Sequence, residues 1–168
     1  MKKLSESIWG DIRRQADGNS VKREDDINTL DQNGFYEYLN SKYWCNLSGH
    51  RIKSQDDIDL LVVPLYCDKK SAEVLELNFE MEKNKVYIDH GDSFSLEYRD
   101  LYEKMKDSFK TEIIKEKWEN PFWGTQYESI LYVSPKDGTD VTNKHFVSVI
   151  EFMLENVDEK HKNILVKK

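Results

Sequence analysis

The stretch Ile58-Asp59-Leu60-Leu61-Val62-Val63-Pro64-Leu65-Tyr66-Cys67 decides the fold. Its nearly continuous apolar run has the composition of a buried strand. Pro64 has no N–H to give to a ladder, so the strand is expected to lie at a sheet edge or to carry a bulge there. Downstream, residues 72–79 set Val74, Leu75, Leu77 and Phe79 among acids, and residues 85–89 hold Val86, Tyr87 and Ile88. The segment Glu80 to Asn84 reads as a hairpin connection between them. Three strands with short links predict a small antiparallel sheet.

Helices are expected on both sides of these strands. Residues 31–47 place Phe35, Tyr36, Leu39, Tyr43 and Trp44 near helical spacing, an aromatic stripe that reads as core. Residues 95–118 set Tyr98, Leu101, Tyr102, Met105, Phe109 and Ile113 on an i, i+3, i+4 path, which predicts one long helix. Glu119-Asn120-Pro121 would stop it. Residues 127–134 read as a strand, and Pro135-Lys136-Asp137-Gly138 as a turn. Thr142 would then cap a last helix with Phe146, Val149, Ile150, Met153 and Val157 inward. The tail 158–168 is polar and is expected to fray, apart from Ile164-Leu165-Val166.

At the other end, Leu4, Ile8 and Ile12 recur every four residues with Trp9 beside them, a short amphipathic helix over 4–15 with Ser5 as its cap. A charged arm follows over 21–28. The domains expected are thus 1–30, a helix and arm, and 31–168, a single α+β domain. The element order is ααβββαβα, with helices packed on a small mixed or antiparallel sheet.

The net charge of −7 is uneven: residues 1–30 balance six acids with six bases, and residues 31–100 carry fourteen acids against eight bases. An acidic middle disfavours direct contact with nucleic-acid phosphates and suits a basic protein partner. Cys45 and Cys67 form no CxxC pair and are expected to be free thiols. The opening Met1-Lys2-Lys3-Leu4 lacks the apolar segment of a signal peptide, and no apolar run reaches the length of a membrane span. The expected location is the cytoplasm of a host cell, or a virion.

Chemical motifs are few. Around Gly34 a calcium loop would need acids at Thr29 and Asn40, so Asp31-Gln32-Asn33-Gly34 reads as a turn or helix cap. None of His50, His90, His145 and His161 has the i, i+3 or i, i+4 partner of a helical zinc site. Asp56, Asp57 and Asp59 cluster before a strand and read as solvated guards of a sticky segment. The seven glycines are scattered singly, so no phosphate loop and no cofactor are expected. His90 and Asp92 are the one pair with catalytic potential.

Two aromatic pairs remain, Tyr43-Trp44 and Phe122-Trp123. Adjacent rings at an element boundary cannot all point inward, and tryptophan is enriched where proteins grip partners.

The opening Ser5-Glu6-Ser7-Ile8-Trp9-x-Asp11-Ile12-Arg13-Arg14, then Lys22-Arg23-Glu24-Asp25-Asp26 and Gly34-Phe35-Tyr36-Glu37-Tyr38-Leu39, resembles a leader found on uncharacterised proteins of tailed phages and mobile elements of gut bacteria. The resemblance covers about the first quarter of the chain and implies origin, not chemistry.

The expected function is therefore a non-enzymatic protein-interaction or assembly protein of a phage or mobile element. Ile8, Trp9 and Ile12 are the expected docking anchors, with Trp44, Phe122 and Trp123 as a second surface. An acidic inhibitor or immunity-type protein, covering a basic host site with residues 56–100, is the alternative. A small hydrolase using His90 and Asp92 is the third reading.

Overall fold

Asp31 opens the first helix by accepting the Gly34 N–H on its side chain at 2.8 Å, so the Asp-Gln-Asn-Gly segment is a cap. The computed structural model describes residues 24–168, and Ile8, Trp9 and Ile12 with the expected helix 4–15 lie outside the described residues. Glu24–Thr29 is a 3-10 turn. Residues 31–168 form one compact unit.

Helix α1 (Gln32–Lys42) buries Phe35 and Leu39, four residues apart on one face. It ends earlier than the periodicity predicts, because Tyr43 turns to extended backbone and starts strand β1 (Tyr43–Cys45). Alternation then splits the aromatic pair: Tyr43 is buried and Trp44 is 50% exposed.

The main sheet holds β2 (Lys53–Gln55), β3 (Leu60–Asp68), β4 (Val74–Glu80), β5 (Lys85–Ile88), β6 (Phe109–Asn120), β7 (Gly124–Pro135) and β8 (His161–Asn163). Its order is β2-β3-β4-β5-β7-β6, with β8 also on β3, and every pairing is antiparallel. The fold is α+β.

Strand β3 is central and not an edge, since all residues from Leu60 to Cys67 are buried. The alternative expected at Pro64 holds: the register with β4 slips between Pro64 and Tyr66, a bulge. On its other side, β2 begins opposite Val62 and β8 ends opposite Tyr66. Pro64 stands in the gap between these two partners, where a missing N–H costs least.

The expected helix 95–118 is three elements. Helices α2 (Gly91–Glu97) and α3 (Arg99–Ser108) break at Tyr98, and β6 follows at once from Phe109. Phe109, Thr111 and Ile113 face inward with period two, and pairing with β7 over twelve positions overrides the helical pattern. The turn at 135–138 forms as expected, with Gly138 at φ 79° and its N–H bonded to the Pro135 carbonyl. Thr142 caps α4 (Asn143–Asn156), its hydroxyl accepting the His145 N–H.

The tail does not fray. It forms β8 and then β9 (Leu165–Lys167), which pairs with β1 as a separate two-stranded sheet. Ile164 and Leu165 are buried, and Lys167 and the Tyr43 hydroxyl both bond Glu151 of α4.

The core centres on three rings. Phe146 of α4 stacks on Phe79 of β4 at 5.0 Å, and Phe35 of α1 meets both edge-on at 6.0 and 6.2 Å. Phe109 also packs on α4, edge-on to His145 and Phe152.

His145 is buried, and its Nε2 lies 3.0 Å from the Val133 carbonyl, so the neutral ring donates there. Burial holds its pKa below the ordinary value of 6.5. Below that value the unfolded chain takes up a proton that the folded chain refuses, so stability is complete above it and falls as pH falls. Urea midpoints at pH 7.5 and 5.5 should show this loss, and His145→Gln, which keeps the donor, should flatten it. Equal slopes in both proteins would show that His145 does not carry the effect.

Candidate functional site

Strands β6 and β7 form a hairpin whose outer half leaves the core. No residue from Ile114 to Ser129 is buried. At about 3.3 Å per residue, this arm is about 20 Å long.

Its tip is built, not loose. The Asn120 side-chain oxygen accepts the N–H groups of Phe122 and Trp123 at 2.8 and 2.9 Å. Thr125 donates its hydroxyl to Glu119 across the strands at 3.0 Å. Gly124, opposite Asn120 in the register, returns the chain at φ 78°, a conformation that side chains beyond Cα rarely take.

This frame pushes large rings into solvent. Phe122 is 86% exposed and Trp123 is 78% exposed. Tyr127, 72% exposed, stands opposite Lys117 on one face, and Trp118, 49% exposed, stands opposite Gln126 on the other. Phe122 and Trp123 were legible as candidates in the sequence. Trp118 was missed because 95–118 read as helix, and a two-residue alternation beginning at Phe109 is the signal that would have found it; Tyr127 opens the stretch 127–134 that reads as a strand, but nothing there marks its ring as exposed. Trp44 is not part of this group: it lies on the β1–β9 sheet opposite Val166.

The arm face bearing Trp118 is acidic. Glu116 is directly opposite Glu128, and Glu112 is opposite Tyr132. The Tyr132 hydroxyl is held above its ordinary pKa by partial burial, then by Glu116, Glu80, Asp89 and Glu112.

His90 and Asp92 are not joined. Asp92 Oδ2 is 3.0 Å from Lys115 Nζ, and this bond, helped by Ser129, holds its carboxyl below the ordinary range. His90 is exposed and lines a cleft of about 480 Å³ with Glu73, Ser93, Glu97 and Tyr98. The carboxylate that would orient the imidazole is already taken by a lysine. Around the same cleft, the Tyr98 hydroxyl is pushed up to about 12, first by burial and then by Glu97, Asp68, Asp158 and Glu73.

Asp56 and Asp57 lie in a short 3-10 turn with Asp59 just after it. Among the described residues, no three of His, Cys, Asp and Glu converge to hold a metal ion. Cys45 and Cys67 are free. Among the described residues, no helix is long and apolar enough to cross a membrane. No family model, curated protein or solved structure matches this chain.

Proposed function

We propose that this chain is an interaction or assembly component of a phage or mobile element, and that it grips a protein partner through the aromatic arm. The observation that carries the reading is the arm itself, with Trp118, Phe122, Trp123 and Tyr127 held in solvent by a hydrogen-bonded frame. Leaving such rings wet forfeits about 1.5–3 kcal/mol apiece of burial energy, which a partner would recover. The arm mixes Lys115 and Lys117 with Glu116, Glu119 and Glu128. That balance opposes phosphate backbones and suits a protein surface. The phage origin rests on the leader pattern alone.

The test compares the intact protein with Phe122→Ser/Trp123→Ser as bait. The double variant should melt with the parent, since neither ring is buried, and should bind the partner at least about tenfold more weakly. A variant that keeps its partner at full affinity would refute docking through the arm. Trp9→Ala, measured beside it, separates the leader from the arm as the gripping element.

The acid field around Tyr98 favours a second reading, an inhibitor that covers a basic site. Partner binding that collapses with added salt would select it over the aromatic arm, whose grip is apolar and tolerates salt.

A further inference from the structure

We propose that the arm's partner is a second copy of this chain, paired antiparallel through the outer edge of β6 about a two-fold axis at Ile113. This rests on the docking reading above and names the occupant.

Among the described residues β6 has one partner, β7, so alternate N–H and C=O groups along its other edge are open. A long open edge invites another strand unless its side chains forbid one. Lysines and glutamates of one sign would forbid it, but those of β6 are mixed in a pattern that can complement itself.

A two-fold axis normal to the sheet must lie between the two strands beside one residue, which then faces its own copy. Centring on Ile113 sets Lys110 opposite the other copy's Glu116, twice, with Thr111 opposite Lys115 and Glu112 opposite Ile114. No like charges meet. The other centres that pair more than half of β6 all oppose like charges. Glu112, Lys115, Glu116 and Lys117 would each face themselves, and centring on Ile114 sets Glu112 against Glu116. One register survives.

One further feature fits that register. Glu116 already faces Glu128 across its own hairpin, and like charges directly opposite are destabilising. Lys110 from the second copy would neutralise that pair. Beyond the paired segment, Trp118 arrives opposite Ser108 of the other copy.

Analytical ultracentrifugation of the full chain, from low to high micromolar concentration, tests this. The parent should be a dimer in reversible equilibrium with monomer. Lys110→Glu alone and Glu116→Lys alone should each weaken it about tenfold, because the symmetry counts every change twice. Lys110→Glu combined with Glu116→Lys should restore it. Circular dichroism melts of all three variants should match the parent, so that a folding defect is not mistaken for lost pairing. A parent that stays monomeric, single reversals without effect, or a double variant that fails to recover would each overturn the proposal. If the parent is monomeric while Phe122→Ser/Trp123→Ser still loses a different protein, self-pairing is wrong and docking by the arm stands.

Discussion

Phe146→Ala should lower the unfolding free energy by about 3–5 kcal/mol, the usual cost of deleting a fully buried ring. The ring is fully buried, stacked on Phe79 and met edge-on by Phe35, so three elements lose a shared neighbour together. Two terms add. The removed atoms forfeit their transfer energy, and the cavity left behind closes only in part, because Phe79 is fixed in its strand and Phe35 in its helix. Against a total stability of about 5–15 kcal/mol for a domain of this kind, the loss is large. Urea titration should show a lower midpoint with an unchanged slope. Phe122→Ala deletes the same ring at the exposed arm tip and should change the unfolding free energy by less than about 0.5 kcal/mol. Equal effects at the two positions would mean that the three-ring cluster is not the centre of the core.

Gly91→Ala should cost about 1–3 kcal/mol through overpacking. A Cβ at this position would lie 3.0 Å from Ile113 Cγ2 and 3.3 Å from both the Ile130 carbonyl carbon and the Leu131 nitrogen. The isoleucine methyl can move, but the two atoms of β7 belong to a paired strand and cannot give without breaking its ladder. The helix that starts at Gly91 must therefore lift off the sheet, and Phe94 lifts with it. Removing the Ile113 branch should relieve part of the clash, so Gly91→Ala and Ile113→Ala together should cost less than their sum. Strict additivity would show that the helix accommodates the methyl without touching β6.

The apolar run at 58–67 announced a buried strand because a strand buried on both faces needs no alternation, and the proline within it left an edge or a bulge, of which the bulge formed. Caps at Asp31 and Thr142 were equally legible, since a side-chain oxygen before an apolar helix has one obvious use. The region 95–118 was misread for a physical reason. Phe109 and Ile113 are four apart, which satisfies a helix and also satisfies one face of a strand, and mixed charges fit either. Only the register with β7 decides, and that partner lies elsewhere in the sequence. Of the tail, the apolar Ile164-Leu165-Val166 stood out and is ordered, while the strand at 161–163 could not be seen because three residues show no period at all. Of the arm, the tip rings could be seen as an anomaly, while their elevation into solvent depended on a hairpin that the helical reading concealed. The separation of His90 from Asp92 depended on Lys115, which no local pattern links to either.

The small sheet of β1 and β9 joins residues about 120 positions apart. Closing so long a loop costs entropy that three paired residues repay only slowly, so this pairing belongs late on the folding pathway. The hairpins of β3 to β5 and of β6 with β7 are local and can form while the chain is still being synthesised. Glu151 acquires Lys167 only when β9 arrives, and the same event covers the edge of β1 beside Tyr43. A nascent chain held short of residue 165 would therefore carry its arm and most of its main sheet with that edge open, a species for chaperones to guard.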